Sequence, residues 1–124
     1  MKKRKILIHG GNKKIPLDVY QCNSFEKIIG LMFSRRESAK ALMFEFSHDV
    51  KMPIHSWFVF YPFLAIWLDK NNKILEKKVV TPWAFSISPS KKYKKLVEIP
   101  INSNYNKILH VLDDNSKDLK RILI

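Results

Sequence analysis

Apolar and polar positions alternate with a period of two along much of this chain, the spacing of strands with one buried face. Arg4 to His9 reads as a short strand, and Gly10-Gly11-Asn12 supplies a turn after it. Ile15, Leu17 and Val19 alternate with Pro16 and Asp18, and Leu42, Phe44 and Phe46 alternate with Met43 and Glu45. His55 to Tyr61 and Phe63 to Leu68 are aromatic and branched on both faces, separated by Pro62. Such runs predict strands covered on both sides. Asp69-Lys70-Asn71-Asn72 turns the chain, and Lys73 to Thr81 returns antiparallel as a hairpin. Lys94 to Ile99 adds another strand, with Leu96 and Val97 on opposite faces.

The period changes to that of a helix in two places. Phe25, Ile28, Ile29 and Met32 stand at i, i+3, i+4 and i+7, behind Asn23 or Ser24 as a cap and with Glu26 in the first turn. Tyr105, Ile108, Leu109 and Leu112 repeat that stripe after Ser103. Leu119 to Ile124 reads as a last strand or a helical turn, the strand preferred. These elements predict an α+β domain: a mainly antiparallel, curled or barrel-like sheet with two short helices. Its core is expected to include Leu42, Phe44, Trp57, Ile66 and Leu96.

Composition bounds this picture. The 124 residues suit one domain spanning 1–124, and no change of composition or repeat marks a second. With 46% hydrophobic residues, the chain has enough apolar surface to fold despite a net charge of +12. The basic start, Met1 to Lys5, is followed by only Ile6-Leu7-Ile8 before His9-Gly10-Gly11, too little for an export core. The longest uncharged apolar run, Trp57 to Leu68, is 12 residues and contains Pro62, whereas a membrane-spanning helix needs about 20. Cys22 is the one cysteine, so no internal disulfide points to an oxidising compartment. The expectation is a cytoplasmic protein with no membrane span.

The order of short motifs resembles a known family. Gly30-Leu31-Met32 followed by Arg35 is similar to the Gly-Leu-Met-x-Arg signature of the family called domain of unknown function 192. Ala41-Leu42-Met43-Phe44-Glu45-Phe46 resembles its Gly-Met-Leu-Phe-x-Phe strand, and Trp57 stands at its Trp. Ile66-Trp67-Leu68-Asp69, Lys73-Ile74 and Val79-Val80 resemble its following hairpin, and Lys95-Leu96-Val97-Glu98-Ile99 its Tyr-Val-Leu-Glu-Val strand. The likeness covers about residues 18–112. It departs where the family's polar Met-Lys-Asn-Thr is Phe58-Val59-Phe60-Tyr61, where Leu-Asp is Leu64-Ala65, and where a Gly is replaced by Asn102-Ser103-Asn104. The resemblance implies a compact β-rich domain of barrel type and no assigned activity.

Candidate chemistry is sparse. His48 and His55, with Asp49 between, match no short zinc spacing, and His9 and His110 are distant. Cys22 has no local nucleophile signature and reads as a packed thiol. Gly10 to Lys14 runs into a strand-like segment rather than the helix start a phosphate loop needs. Asp113-Asp114-Asn115-Ser116-Lys117-Asp118 lacks the glycine and bidentate glutamate of a calcium loop. No catalytic group, metal or cofactor is assigned, and the balance is against an enzyme.

Two features remain. Trp57, Phe58, Phe60, Tyr61, Phe63, Trp67, Trp83 and Phe85 form an aromatic set, expected to be mostly core, with Trp83 beside Pro82 as the exception. Lys77-Lys78 and Lys91-Lys92-Tyr93-Lys94-Lys95 are the densest basic runs. The 23 cations are 19 lysines and four arginines, spread through most loops, which disfavours base-specific readout. The first expectation is a non-enzymatic binding or interaction module whose ligand meets the aromatic strands and the loop from Pro82 to Tyr93. Its candidate surface is Trp83, Tyr93, Lys91, Lys92, Lys94 and Lys95. The second is a protein that binds nucleic acid nonspecifically through those lysines, with Tyr93 stacking on a base.

Overall fold

A computed structural model describes residues 1–23, 30–84 and 86–112. Six strands are present: β1 (Lys2–Gly10), β2 (Lys13–Gln21), β3 (Leu42–Val50), β4 (Phe63–Leu68), β5 (Ile74–Val80) and β6 (Tyr93–Pro100). They form one sheet in the order β1-β2-β3-β6-β4-β5. All pairings are antiparallel except the short parallel contact of β2 with β3. Gly11, with φ +59, makes the tight turn between β1 and β2. At the other hairpin the Asp69 carboxylate accepts from the amides of Asn71 and Lys73, at 2.8 and 3.0 Å, and Asn72 takes φ +65. Short polar side chains tolerate that conformation and suit the turn.

The sheet curls until its two edges meet. The amide of His9 donates to the carbonyl of Asn72 at 2.8 Å, and His9 bridges Lys73. This contact closes part of an otherwise open rim, so much less edge backbone is left unpaired. Inside the curl sit Ile8, Leu17, Val19, Met43, Ile66 and Val97 with their neighbours. A 3₁₀ turn (Ser103–Tyr105) leads into helix α1 (Asn106–Leu112), whose Leu109 and Leu112 fill the same interior. The Lys77 ammonium donates to the carbonyl of Leu112, holding the end of α1 on β5.

The outer face carries a second apolar cluster, including Leu42, Phe44, Phe63, Trp67, Tyr93 and Leu96. Three connections cover it. Ile54 and Ile87 exchange backbone hydrogen bonds at 2.8 Å, tying the β3–β4 loop to the β5–β6 loop. The amide of Phe33 donates to the carbonyl of Phe58 at 2.9 Å, which adds the β2–β3 connection. β4 and residues 96–100 of β6 are therefore buried on both faces, as the unbroken apolar run of β4 requires.

Several expectations change. The fold is a curled, mostly antiparallel sheet as expected, with α1 the one α-helix among the described residues. Of the first expected helix, residues 24–29 lie outside the described residues. Met32, assigned to its stripe, lies in a turn between Gly30 and Phe33, whose φ values of +53 and +62 no α-helix permits. The segment from His55 to Tyr61 is a looped crossover rather than a strand. Its backbone is tied by Val59 donating to Ser56, and Phe58 takes φ +58, so it cannot extend. Trp57 accordingly leaves the expected core and is 44% exposed. Leu42, Phe44, Ile66 and Leu96 are buried. Phe85, the Asp113–Asp118 run and Leu119–Ile124 lie outside the described residues.

Candidate functional site

The outer face of the sheet holds a cavity of about 550 Å³, within the range of small-molecule sites. Strands supply its floor: Phe44 and Phe46 from β3, Tyr93, Leu96 and Glu98 from β6, and Phe63 from β4. Residues 52–55 and Val59 of the β3–β4 loop form one wall, and residues 30–32 another. The lining is almost wholly apolar. Among the described lining residues Glu98 is the one acidic side chain, and His55 the one other titratable group besides Tyr93.

Glu98 stands there because of the strand period. Leu96 and Glu98 share the outer face of β6, while Val97 and Ile99 point into the curl. Neither face of this central strand is open to solvent, so Glu98 is only 6% exposed. It makes no hydrogen bond or ion pair among the described residues. Burial without a partner disfavours the charged form and pushes its pKa up to about 8. Gly30 lies close by: a Cβ built there would be in ordinary contact, 3.5 Å from Glu98 Oε1 and 3.7 Å from Phe44 Cζ. Gly30 also has φ +53, a conformation that glycine adopts without strain.

Two tyrosines surround this carboxyl. Burial pushes Tyr93 up to about 12, with the nearby Glu98 charge adding to the effect. Tyr61 is raised by burial as well. Both hydroxyls are already engaged, Tyr93 donating to the Met52 carbonyl at 2.9 Å and Tyr61 pairing with Ser34. They fasten the loops to the sheet rather than serving Glu98.

Beside the cavity wall lies an exposed aromatic group. Phe33, next to cavity residue Met32, stacks on Phe58 with ring centroids 4.9 Å apart, and Phe58 meets Trp83 edge-on at 4.9 Å. Phe60 also packs on Trp83, at 5.6 Å. Phe33, Phe58 and Trp83 all have positive φ, near +60. Bulky side chains pay a steric cost there, on the order of 1–3 kcal/mol each, and such residues cluster at functional sites. The buried Ser56 holds the geometry: its hydroxyl donates to the Thr81 carbonyl and accepts from the Ala84 amide, both at 2.6 Å, and its carbonyl accepts from the Trp83 amide.

The strain gives a direct prediction. Phe33 is 67% exposed, so its truncation loses little burial. Phe33→Gly is expected to be at least as stable as Phe33→Ala in denaturant unfolding. At an ordinary exposed position the glycine variant would be weaker by about 0.5–1 kcal/mol.

The residues singled out from sequence separate in space. Trp83 is exposed, 47%, and joins the aromatic group. Tyr93 is 1% exposed, its ring covered by the loops on the outer face, and it offers no stacking surface. Lys91 and Lys92 are exposed at the start of β6. Lys94 donates to the Phe46 carbonyl and lies 3.9 Å from Glu45, and Lys95 donates to Asn72 Oδ1 at 2.7 Å. The two later lysines are thus committed to neighbouring strands and turns. His48 is exposed beside Ser47, and His55 Nδ1 accepts from the Trp57 amide, so they do not converge. No group of three metal-ligating side chains occurs among the described residues. Cys22 is buried at the end of β2.

Sequence reasoning assigned Glu98 no role. The signal was present: a lone acid between Leu96-Val97 and Ile99 in a strand apolar on both faces has no open side to occupy.

In fold, the chain is similar to a protein from Sinorhizobium meliloti 1021 provisionally described as a transcription regulator. The TM-score is 0.71 over 87% of this chain and 86% of that one, at 15% identity. It is also similar to a protein of unknown function from Novosphingobium aromaticivorans DSM 12444, with a TM-score of 0.65, 12% identity, and 86% and 78% of the two chains covered. Identities this low speak for the fold alone. No family model matches the chain, and no curated protein does. No helix among the described residues is long and apolar enough to cross a membrane.

Proposed function

We propose that this protein is a binding module that takes a small, largely apolar ligand into the cavity on the outer face of its sheet. One observation carries this: an apolar cavity of about 550 Å³ surrounds a buried carboxyl that has no partner among the described residues. An apolar wall supplies affinity by removing ligand surface from water, and a single polar group fixes orientation. Binding is favoured over catalysis because acid–base chemistry needs a second group in reach. No hydrogen bond joins Glu98 to a titratable side chain among the described residues. The exposed aromatic group beside the wall offers a further apolar contact surface.

The order of motifs from Gly30-Leu31-Met32 to Leu96-Val97-Glu98 supports placing the chain in the domain of unknown function 192 family, and the curled β-rich fold agrees with what that resemblance implies. The description of the Sinorhizobium protein as a regulator gives no support for nucleic-acid binding here, since Tyr93 is buried and Lys94 and Lys95 are engaged.

Methyl resonances of the protein test the proposal. Addition of 2-naphthylmethanol is expected to shift Leu31, Ile54, Val59 and Leu96, which line the cavity, and to leave Ile8, Leu17 and Val97 inside the curl unmoved. Shifts confined to the interior set, or none at all, would refute it.

A further inference from the structure

We infer that the ligand is an amine: an apolar body carrying one protonated nitrogen that pairs with the Glu98 carboxylate. This rests on the proposal of a ligand-binding cavity and names the chemistry its polar group selects. The cavity has one acidic group and no fixed cation among its described lining residues. Tyr93, the nearest hydroxyl on the same strand, spends its proton on Met52. Among the described lining residues no donor is therefore paired with the Glu98 carboxyl, which is left for the ligand.

A protonated nitrogen meets that need better than a neutral donor. Hydrogen bonds to an ionised group are roughly twice as strong as neutral ones, more so in an apolar surround. Burying a charge requires a partner charge with good geometry. An ammonium brings both the countercharge and several donors. A carboxylate ligand would meet like charge once Glu98 ionised.

Pairing changes the protonation of the site. The free protein holds Glu98 mainly as the neutral acid at pH 7, because its pKa is about 8. When the ammonium enters, the Glu98 O–H bond breaks and its proton passes to solvent. The carboxylate left behind pairs with the ligand's N–H⁺, and no bond forms or breaks in the ligand. The groups facing Glu98 are Tyr61 from the β3–β4 loop and Tyr93 from β6, with His55 in the cavity wall. The facing residues of β3 and β4, Leu42 and Ala65, carry no charge. Both tyrosines titrate above the ordinary phenol range, so they stay neutral through this step.

Calorimetric titration of the whole chain with 2-naphthylmethylamine and its neutral isostere 2-naphthylmethanol tests this. At pH 8 the amine is expected to bind about tenfold or more tightly than the alcohol. At pH 7, runs in phosphate and Tris should reveal release of about 0.9 proton per amine bound, and none for the alcohol. Glu98→Gln should abolish both the preference and the proton release while still binding the alcohol, which shows that the variant is folded. If both compounds bind alike and no proton leaves, the amine inference fails and the cavity proposal stands. If Glu98→Gln keeps the preference or the release, Glu98 is not the partner and the inference fails. If neither compound binds, the inference and the proposal beneath it both fall.

Discussion

Replacing Glu98 by glutamine is expected to flatten the loss of stability that the wild-type chain undergoes between about pH 5 and pH 9. A carboxyl whose folded value is raised keeps a proton that the unfolded chain has already released. Its contribution is therefore intact below the unfolded value and is lost as pH rises through the folded one. Glu98 moves from an ordinary 4.5 to about 8, so the window runs between those two values. The full effect is on the order of 4–5 kcal/mol, at about 1.4 kcal/mol for each pH unit of displacement. That is a large share of the stability of a domain this size. Urea unfolding of both proteins at pH 5, 7 and 9 measures it through the difference of their slopes. Glutamine's own burial cost is constant across the series and cancels. Parallel pH profiles would mean that Glu98 is solvated or paired in the folded protein.

Phe44→Ala is expected to lower stability by about 3 kcal/mol, the lower part of the range for buried Phe truncations. Phe44 is almost fully buried on the outer face of β3, yet one side of its ring borders the cavity and the ring tip lies near Gly30. Packing is thus incomplete on that side, which tempers the loss. The same change enlarges the cavity, so a bulkier naphthyl ligand should gain affinity relative to wild type. A loss well under 1 kcal/mol would remove Phe44 from the core.

Most of the sheet was legible in the chain because its strands follow the period of two and its hairpins carry glycine, asparagine or aspartate where the turn needs them. Gly11 and Asn72 both occupy the left-handed region. The crossover from His55 to Tyr61 was not legible. An aromatic run apolar on both faces looks like a covered strand, and no local pattern announces that Phe58 and Trp83 accept a left-handed backbone. That conformation is set by partners distant in sequence, with Ser56 bonded to Thr81 and Ala84. Trp57 was misplaced for the same reason, since it belongs to the loop and not to the sheet.

The site shows a similar division. The isolated Trp83 beside Pro82 was readable as an exposed aromatic, and it is exposed. Tyr93 looked like a stacking residue because of its lysine neighbours, but its ring packs into the outer cluster beneath the loops, its hydroxyl bonded to Met52, while Lys91 and Lys92 remain in solvent. Glu98 lay in a strand whose last five residues are all buried. Its meaning emerged only when the loops over the outer face left a cavity around it. The high net charge bears on solubility and long-range attraction; the group that distinguishes this surface is a buried acid.

Glu98, a carboxyl in an apolar cavity with no partner among the described residues, is the centre of the proposed site. Following the Glu98 side-chain carboxyl ¹³C resonance through a pH titration of the free protein tests this at the atom concerned. A midpoint near 8 is the predicted result; a midpoint in the ordinary glutamate range, near 4.3, would contradict it.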